Sequence, residues 1–235
     1  MTAQKKTAHL AGFIYLIVVV TGMFSLGYVP SKLIAMQDPV LTFQHLQQSS
    51  LLFRAGIASS MLCYIAFLFL PLALYRLLSA VNKTAALLMV ILAVVSVPMS
   101  LIPLQHELAV LKLVEGTGSV NGLDPQQLPV QVIQLISHYH AGLQIAQLFW
   151  GLWLLPFGYL VFKSGFLPKL LGIFLAIGCF GYLITVFGKT LNPHFGQLAI
   201  SDYITIPGSI GEFGICLWLL ILGDRAGFKS RKPTN

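Results

Sequence analysis

The chain has 235 residues, of which 57% are hydrophobic and only 9% are charged, and its formal net charge is +7. A soluble globular domain carries about 25% charged residues, so this composition excludes an ordinary water-soluble fold and indicates that lipid surrounds much of the chain. The basic residues lie in short connections and at the C-terminus, with no basic stripe interleaved with aromatic residues. The charge therefore predicts membrane orientation and no nucleic-acid partner.

Six apolar stretches are long enough to cross a bilayer as helices, since about 20 helical residues span the hydrocarbon core. The first is too long for the hydrophobic region of a signal peptide, so we expect it to remain uncleaved. None alternates as a barrel strand does, and the sequence predicts an all-α polytopic membrane protein with six transmembrane helices in one bundle. The stretches run about 10–30, 51–78, 85–111, 140–162, 167–188 and 203–223, followed by a basic tail, 224–235.

Basic residues alternate between the two sides of these spans. Ten of the fourteen Lys and Arg residues fall on the side of the two termini, and four fall on the other: Lys32, Arg54, Lys112 and Lys189. Because short cytoplasmic segments carry the excess of positive charge, both termini are predicted to be cytoplasmic.

Two connections on the outer side are longer than tight turns. Asp38-Pro39 has the pattern of an N-cap followed by proline, which predicts a short surface helix over Val40 to Ser50 or an extension of the second span. Asp124-Pro125 predicts a second such helix that continues into the fourth span. The prolines at 98, 103, 156 and 207 interrupt spans, which suits either simple kinks or the broken helices of transporters.

Ionisable residues at membrane depth are the strongest functional candidates, because an unpaired charge there is costly. Glu212 lies near the middle of the sixth span among Gly208, Gly211 and Gly214, which allow close helix packing. It is predicted to form either a structural hydrogen bond or a functional site. Arg54 is predicted to reach the headgroups, to neutralise Glu212, or to clamp an anionic ligand.

A polar stripe is expected where the third and fourth spans meet the outer surface. Ser137, His140, Gln144, Gln147 and Gly151 recur at intervals of three or four and predict one helix face turned toward protein. His138 is predicted to lie off this stripe, at the headgroups. We predict a polar pocket open to the outside between spans two, three, four and six. Its candidate ligand-binding residues are Arg54, His106, Glu107, His140, Gln144, Gln147 and Glu212, with Lys189 and Asp202 at the rim and Tyr15 and Tyr64 as weaker candidates.

The patterns of metal and catalytic sites are missing. His106, Glu107, His140 and Glu212 are ligand types that suit zinc or iron, but no His-Glu-x-x-His spacing occurs. There is no Gly-x-Ser-x-Gly elbow, no phosphate-binding glycine loop and no Cys-x-x-Cys pair. Cys63, Cys179 and Cys216 are expected to pack as small apolar side chains. We predict no metal, no cofactor and no assigned catalytic residue.

Four stretches resemble a bacterial family of membrane proteins catalogued as domain of unknown function 4386. The most specific lies between the fourth and fifth spans, where a Ser-Gly-Phe-Leu-Pro hairpin is unusual among membrane proteins. The resemblance implies a six-helix integral protein of the bacterial plasma membrane without an established activity, and it places Arg54 and His140 within family-like motifs. The four are Ala11 to Leu16; Leu52 to Gly56 with Leu72 to Arg76; His140 to Gly142 through Phe149 to Leu152; and Gly158 to Gly172 with Gly181 to Leu183.

Three functions are consistent with these patterns. The first is binding or transport of a small or amphiphilic ligand through the outward-facing pocket. The second is a membrane-embedded enzyme that uses His140 or Glu212 as acid or base, or a metal, on a lipid-like substrate. The third is a structural or accessory membrane protein with no ligand. The partners expected are the lipid bilayer and a small-molecule or lipid ligand, and no oligomeric state is implied.

Overall fold

The computed structural model describes residues 3–116, 124, 126–192 and 194–223, and all regular secondary structure in these residues is helical. The all-α prediction is confirmed. The α-helices are α1 (Ala3–Gly22), α2 (Val29–Leu33), α3 (Pro39–Gln48), α4 (Ser50–Leu78), α5 (Lys83–Leu101), α6 (Leu104–Val114), α7 (Leu128–Leu152), α8 (Leu154–Ser164), α9 (Lys169–Leu191), α10 (Ile200–Tyr203) and α11 (Ile206–Leu217).

Five helical stretches in the described part of the chain are long and apolar enough to cross a membrane. They are Lys5–Leu33, Ser50–Leu78, Lys83–Val114, Leu128–Ser164 and Lys169–Leu191, close to the first five predicted spans. The sixth predicted span corresponds to a shorter apolar helix, Ile206–Leu222. The protein is therefore a multi-pass membrane protein by helix length and composition. The sixth crossing stays a prediction, and the basic tail lies outside the described residues.

Local sequence signals explain several helix boundaries. The Asp38 carboxylate accepts a 2.9 Å hydrogen bond from the backbone N–H of Leu41, and Pro39 is the first residue of α3, as predicted for an N-cap. Ser49 separates α3 from α4, so α3 is a helix of its own. The fourth predicted span begins earlier than the apolar run, at Leu128, because the segment after Asp124 continues into it.

Prolines break only some of the helices. Pro103 separates α5 from α6, whereas Pro98 remains inside α5. Pro207 lies in the first turn of α11 and Pro156 in the first turn of α8, where a missing N–H costs little. Two further distortions are π-helical: Met23–Tyr28 joins α1 to α2, and Trp218–Leu222 extends α11. The predicted interruption is therefore strongest at Pro103.

The described residues pack into two compact units. Unit 1 comprises those within Met1–Leu16, Phe69–Val94 and Leu148–Asn235, and unit 2 those within Ile17–Leu68 and Val95–Gln147. Each unit thus combines segments from both halves of the chain. The organisation as a single six-helix bundle stays a prediction.

Unit 1 is held together by helices that approach closely at glycines. A Cβ added at Gly158 would lie 2.6 Å from the carbonyl oxygen of Gly172, and one added at Gly211 would lie 2.9 Å from the Leu175 side chain. A Cβ at Gly12 would lie 2.8 Å from the backbone nitrogen of Leu220. Small residues are favoured at membrane helix contacts because they let backbones meet.

Unit 2 has an apolar core at one end of its helices. Its buried side chains come from α2, α3, α4, α6 and α7, close to the helix ends at Leu33, Ser50, Val114 and Leu128. Thr42 connects α3 to the segment that follows α2. Its hydroxyl donates a hydrogen bond to the carbonyl of Ala35 and accepts one from the N–H of Ala35, both at 2.9 Å. The core residues are Val29, Leu33, Leu46, Phe53, Ile57, Val110, Val114, Val132 and Ile136.

The contact between Gly178 and Gly208 gives a direct test of glycine packing in unit 1. Because a Cβ on Gly178 would overlap the backbone of Gly208, we expect Gly178→Ala to lower the free energy of unfolding by about 1–3 kcal/mol. The matched control is Gly27→Ala, since a Cβ at Gly27 meets no atom within 4 Å. Unfolding in mixed micelles, followed by circular dichroism, measures both variants. Equal stability of the two would contradict the proposed packing.

Candidate functional site

The first buried carboxyl lies in unit 2. Glu107 is on α6, one turn after the break at Pro103, and only 8% of it is exposed. Two buried tyrosines face it from other helices: Tyr64 on α4 and Tyr139 on α7 interact with Glu107 and with each other. Buried Ser60, one turn before Tyr64, also interacts with Tyr139. We call Ser60, Tyr64, Glu107 and Tyr139 the Glu107 cluster.

Close packing of α6 against α7 places this cluster. A Cβ added at Gly142 would overlap the ring of Pro103, so glycine is what lets the two helices meet there. One turn further along α6, the ring of His106 contacts that of His138 edge-on, with centroids 5.5 Å apart. These two contacts fix an antiparallel register that brings Glu107 to the level of Tyr139.

Apolar side chains close one end of the Glu107 cluster. Ile57, Val110 and Ile136 each lie about one helical turn from Ser60, Glu107 and Tyr139, in the direction of the apolar core of unit 2. The prediction of an open polar pocket at this end therefore needs these side chains to move. In the structure this end of unit 2 is filled by apolar packing.

The second carboxyl at membrane depth lies in unit 1. The hydroxyl of buried Tyr15, on α1, donates a 3.2 Å hydrogen bond to Oε1 of Glu212 on α11. Tyr182 on α9 interacts with both residues. Gly151 makes room for Tyr182, since a Cβ there would lie 2.5 Å from the Cβ of the tyrosine. We call Tyr15, Tyr182 and Glu212 the Glu212 cluster.

Neither carboxyl forms an ion pair with Lys or Arg among the residues that the structure describes. Arg54 pairs with Glu115, with Nε–Oε1 and Nη2–Oε2 distances of 2.8 and 2.5 Å. The Arg54 side chain is 54% exposed, so this pair lies at the surface of unit 2. In the structure the carboxylate that pairs with Arg54 is therefore that of Glu115. The sequence could not indicate Glu115 as the partner, because it is 61 residues away along the chain.

The residues of the predicted polar stripe differ in how far they are buried. His140 is exposed, whereas the stripe model turned it inward; Tyr139, about 100° away on the helix, is the buried neighbour. Gln144 and Gln147 are partly buried, and so is His106. Lys189 lies exposed near the end of α9, and the side chain of Asp202 is outside the described part. In the described ranges, no three His, Cys, Asp or Glu side chains are grouped closely enough to hold a metal ion.

The family model described as "Domain of unknown function (DUF4386)" matches residues 10–223. The chain belongs to this family. The resemblance seen in the four sequence stretches is thereby confirmed. No curated protein and no solved structure matches the chain. The ligand-binding role of the seven candidate residues stays a prediction for this DUF4386 protein.

Tyr139, Tyr182 and Ser60 were not among the predicted site residues of the DUF4386 chain. A signal for Tyr182 exists in the sequence, because it lies inside the predicted fifth span, whereas Tyr139 precedes the predicted fourth span. Tyrosine in membrane proteins favours the bilayer interfaces, so a tyrosine well inside a span carries a hydroxyl that must find a partner. Ser60 gives no comparable signal, because serine can bond to its own helix backbone.

An open apolar groove in unit 1 contains none of these residues. It has a volume of about 400 Å³ and lies between the start of α9, at Leu170 and Leu171, and the C-terminal end of the last apolar helix, at Leu217 and Trp218. An apolar groove of this kind suits contact with lipid chains. It adds no polar group to either carboxyl cluster.

The hydrogen bond between Tyr15 and Glu212 can be tested by removing one hydroxyl. Tyr15→Phe keeps the buried ring but leaves the carboxyl without this donor, and we expect the free energy of unfolding to fall by about 1 kcal/mol. Tyr28→Phe is the matched control, because Tyr28 is half exposed. Chemical unfolding in mixed micelles measures the change, and equal effects of the two variants would argue against the bond.

Proposed function

We propose that the chain crosses the plasma membrane six times, with both termini in the cytoplasm. The helix Ile206–Leu222 is apolar, and its 17 residues reach the lower end of the length that spans a bilayer. The ten-to-four asymmetry of basic residues supports an even number of crossings, because a missing sixth span would put the basic tail outside.

Reporter fusions test this topology. We expect a fluorescent protein fused after Asn235 to fluoresce, and alkaline phosphatase fused at the same place to be inactive. Alkaline phosphatase inserted within residues 117–123 should be active, because that connection lies outside in the six-span topology. Active phosphatase at the C-terminus would instead indicate five crossings.

We further propose that the protein binds, and moves through the membrane, a small or amphiphilic ligand that carries a positive charge. The observation that supports this proposal is the buried Glu107 cluster. A carboxyl at membrane depth without a basic partner must hold a proton or accept a cation. The hydroxyls of Tyr64, Tyr139 and Ser60 offer further hydrogen bonds, and tyrosine rings attract cations.

An anionic ligand is less well supported. The predicted anion clamp was Arg54, but its guanidinium already bonds both carboxylate oxygens of Glu115 at an exposed position. The groups at depth are the two glutamates and the tyrosines, which favour positive charge and hydrogen-bond donors. Access to Glu107 requires the apolar core of unit 2 to open, and the helix break at Pro103 provides a hinge for such motion.

Binding of ethidium, an amphiphilic cation, tests the proposed function. The full chain in detergent should bind ethidium saturably, measured by fluorescence polarisation. Glu107→Gln should weaken binding at least tenfold, because it removes a charged partner worth about 1.5–3 kcal/mol.

The matched control for ethidium binding is Glu115→Gln, which removes a carboxylate that already has Arg54 as its partner. We expect this variant to bind ethidium as the unaltered protein does. Equal binding by both variants would remove Glu107 from the site. A lack of saturable binding by the unaltered protein would favour a structural or accessory role.

A further inference from the structure

The two carboxyl clusters have the same composition at their centre. Each brings one glutamate together with two tyrosines, and each takes its three residues from three different helices. In unit 2 these are Tyr64, Glu107 and Tyr139. In unit 1 they are Tyr15, Tyr182 and Glu212, with the 3.2 Å hydrogen bond from Tyr15 to Glu212.

The same order occurs twice along the chain. In the first half, Tyr15, Tyr64 and Glu107 lie on the first, second and third long apolar helices. In the second half, Tyr139 and Tyr182 lie on the fourth and fifth, and Glu212 lies on the shorter sixth. Tyrosine, tyrosine and glutamate thus follow one another in both halves, on helices of equivalent rank.

The first tyrosines of the two halves also lie at similar distances from the starts of their helices. Tyr15 comes ten residues after the start of its stretch at Lys5, and Tyr139 comes eleven after Leu128. Because each residue adds about 1.5 Å along a helix, this difference of one residue corresponds to about 1.5 Å along the helix axis.

The second helices match as closely. Tyr64 comes fourteen residues after Ser50, and Tyr182 comes thirteen after Lys169. The glutamates precede the ends of their stretches, at Val114 and Leu222, by seven and ten residues. The tyrosine pairs thus agree within one residue when counted from the helix starts, and the glutamates agree within one helical turn only when counted from the helix ends.

Each cluster takes one of its tyrosines from the first long helix of the other half of the chain. The Glu107 cluster combines Tyr64 and Glu107 of the first half with Tyr139 of the second. The Glu212 cluster combines Tyr182 and Glu212 of the second half with Tyr15 of the first. Two copies of one three-helix arrangement would give this reciprocal pattern if each copy placed the tyrosine of its first helix beside the glutamate of the other. Chance clustering of polar residues would not be expected to preserve both the order and this reciprocity.

We propose that the Glu107 and Glu212 clusters are two copies of one proton-binding site, each of which gains and loses a proton on its carboxyl. Tyrosine suits this chemistry, because its hydroxyl donates to a carboxylate and accepts from a carboxylic acid. The inference builds on the proposed function, since a carboxyl that releases its proton can take a cation in its place. In that exchange, the carboxylic acid and the cation give the carboxylate–cation pair and a free proton.

Other titratable groups also lie near the two carboxyls. Around Glu107 these groups belong to α4 and α7. His106 also precedes Glu107 on α6, and its ring contacts the ring of His138 on α7. Around Glu212 they belong to α1 and α9, with one thiol on α11. None is a Lys or Arg in the described part of the chain. The groups are Tyr64, Cys63 and Tyr139 for Glu107, and Tyr15, Tyr182 and Cys216 for Glu212.

Infrared difference spectroscopy of the full chain in nanodiscs tests the proposal with protons alone. A protonated carboxylic acid has its own C=O stretching band, and a buried one exchanges slowly in heavy water. We expect such a band to disappear as the pH is raised. Glu107→Gln and Glu212→Gln should each remove about half of its area, and the double variant should remove all of it.

Glu115→Gln is the matched control and should leave the band unchanged. A second measurement uses Tyr139→Phe and Tyr15→Phe, which keep both carboxyls: each should shift the part of the band that belongs to its own cluster, in the same direction. A band that keeps its full area after either single glutamine substitution, or no band at any pH, would overturn the proposal. Ethidium binding tests the proposed function separately. A protein that does not bind ethidium can still have both proton-binding sites, and a protein without the carboxylic-acid band can still bind ethidium.

Discussion

A carboxyl group inside a membrane protein has to be surrounded by groups that can hydrogen-bond to it, because lipid offers none. Glu212 accepts a hydrogen bond from Tyr15, and Glu107 interacts with Tyr64 and Tyr139; in the described part of the chain neither carboxyl pairs with arginine or lysine. The use of tyrosines constrains how the surrounding helices pack. Each tyrosine has to reach its glutamate from a different helix, so the helices around each carboxyl are held at particular distances and registers.

Glycines set those distances. Gly142 lets α6 and α7 meet beside Pro103, one turn from Glu107, and Gly151 leaves the space that Tyr182 occupies near Glu212. Gly12 brings α1 onto the backbone of Leu220, in the register that also pairs Tyr15 with Glu212. The same residue type therefore serves close packing and the placement of polar groups, because both depend on how near two backbones can come.

In both clusters the groups around the carboxyl are neutral tyrosines. A neutral hydrogen-bonding partner allows a carboxyl to change its charge state, whereas an arginine partner would hold it ionised. Tyrosine partners are thus suited to a group that exchanges its proton or accepts a cation. The surface pair of Arg54 and Glu115 shows the other arrangement, in which both charges are satisfied at an exposed position.

Sequence alone determined the membrane class, the positions of the apolar helices and the N-cap at Asp38, and it singled out Glu107 and Glu212 as candidate site residues. These features depend on composition, on helix length and on the cost of charge in lipid, all of which are local properties of the chain. Only the tertiary structure decided the partners: Tyr15 for Glu212, Tyr64 and Tyr139 for Glu107, and Glu115 for Arg54. Each of these contacts joins residues far apart in the chain, and its geometry depends on how two helices rotate and slide against each other. Helical periodicity defines the faces of a helix, but it leaves open which face meets which neighbour, and for that reason His140 is exposed while Tyr139 is buried beside Glu107.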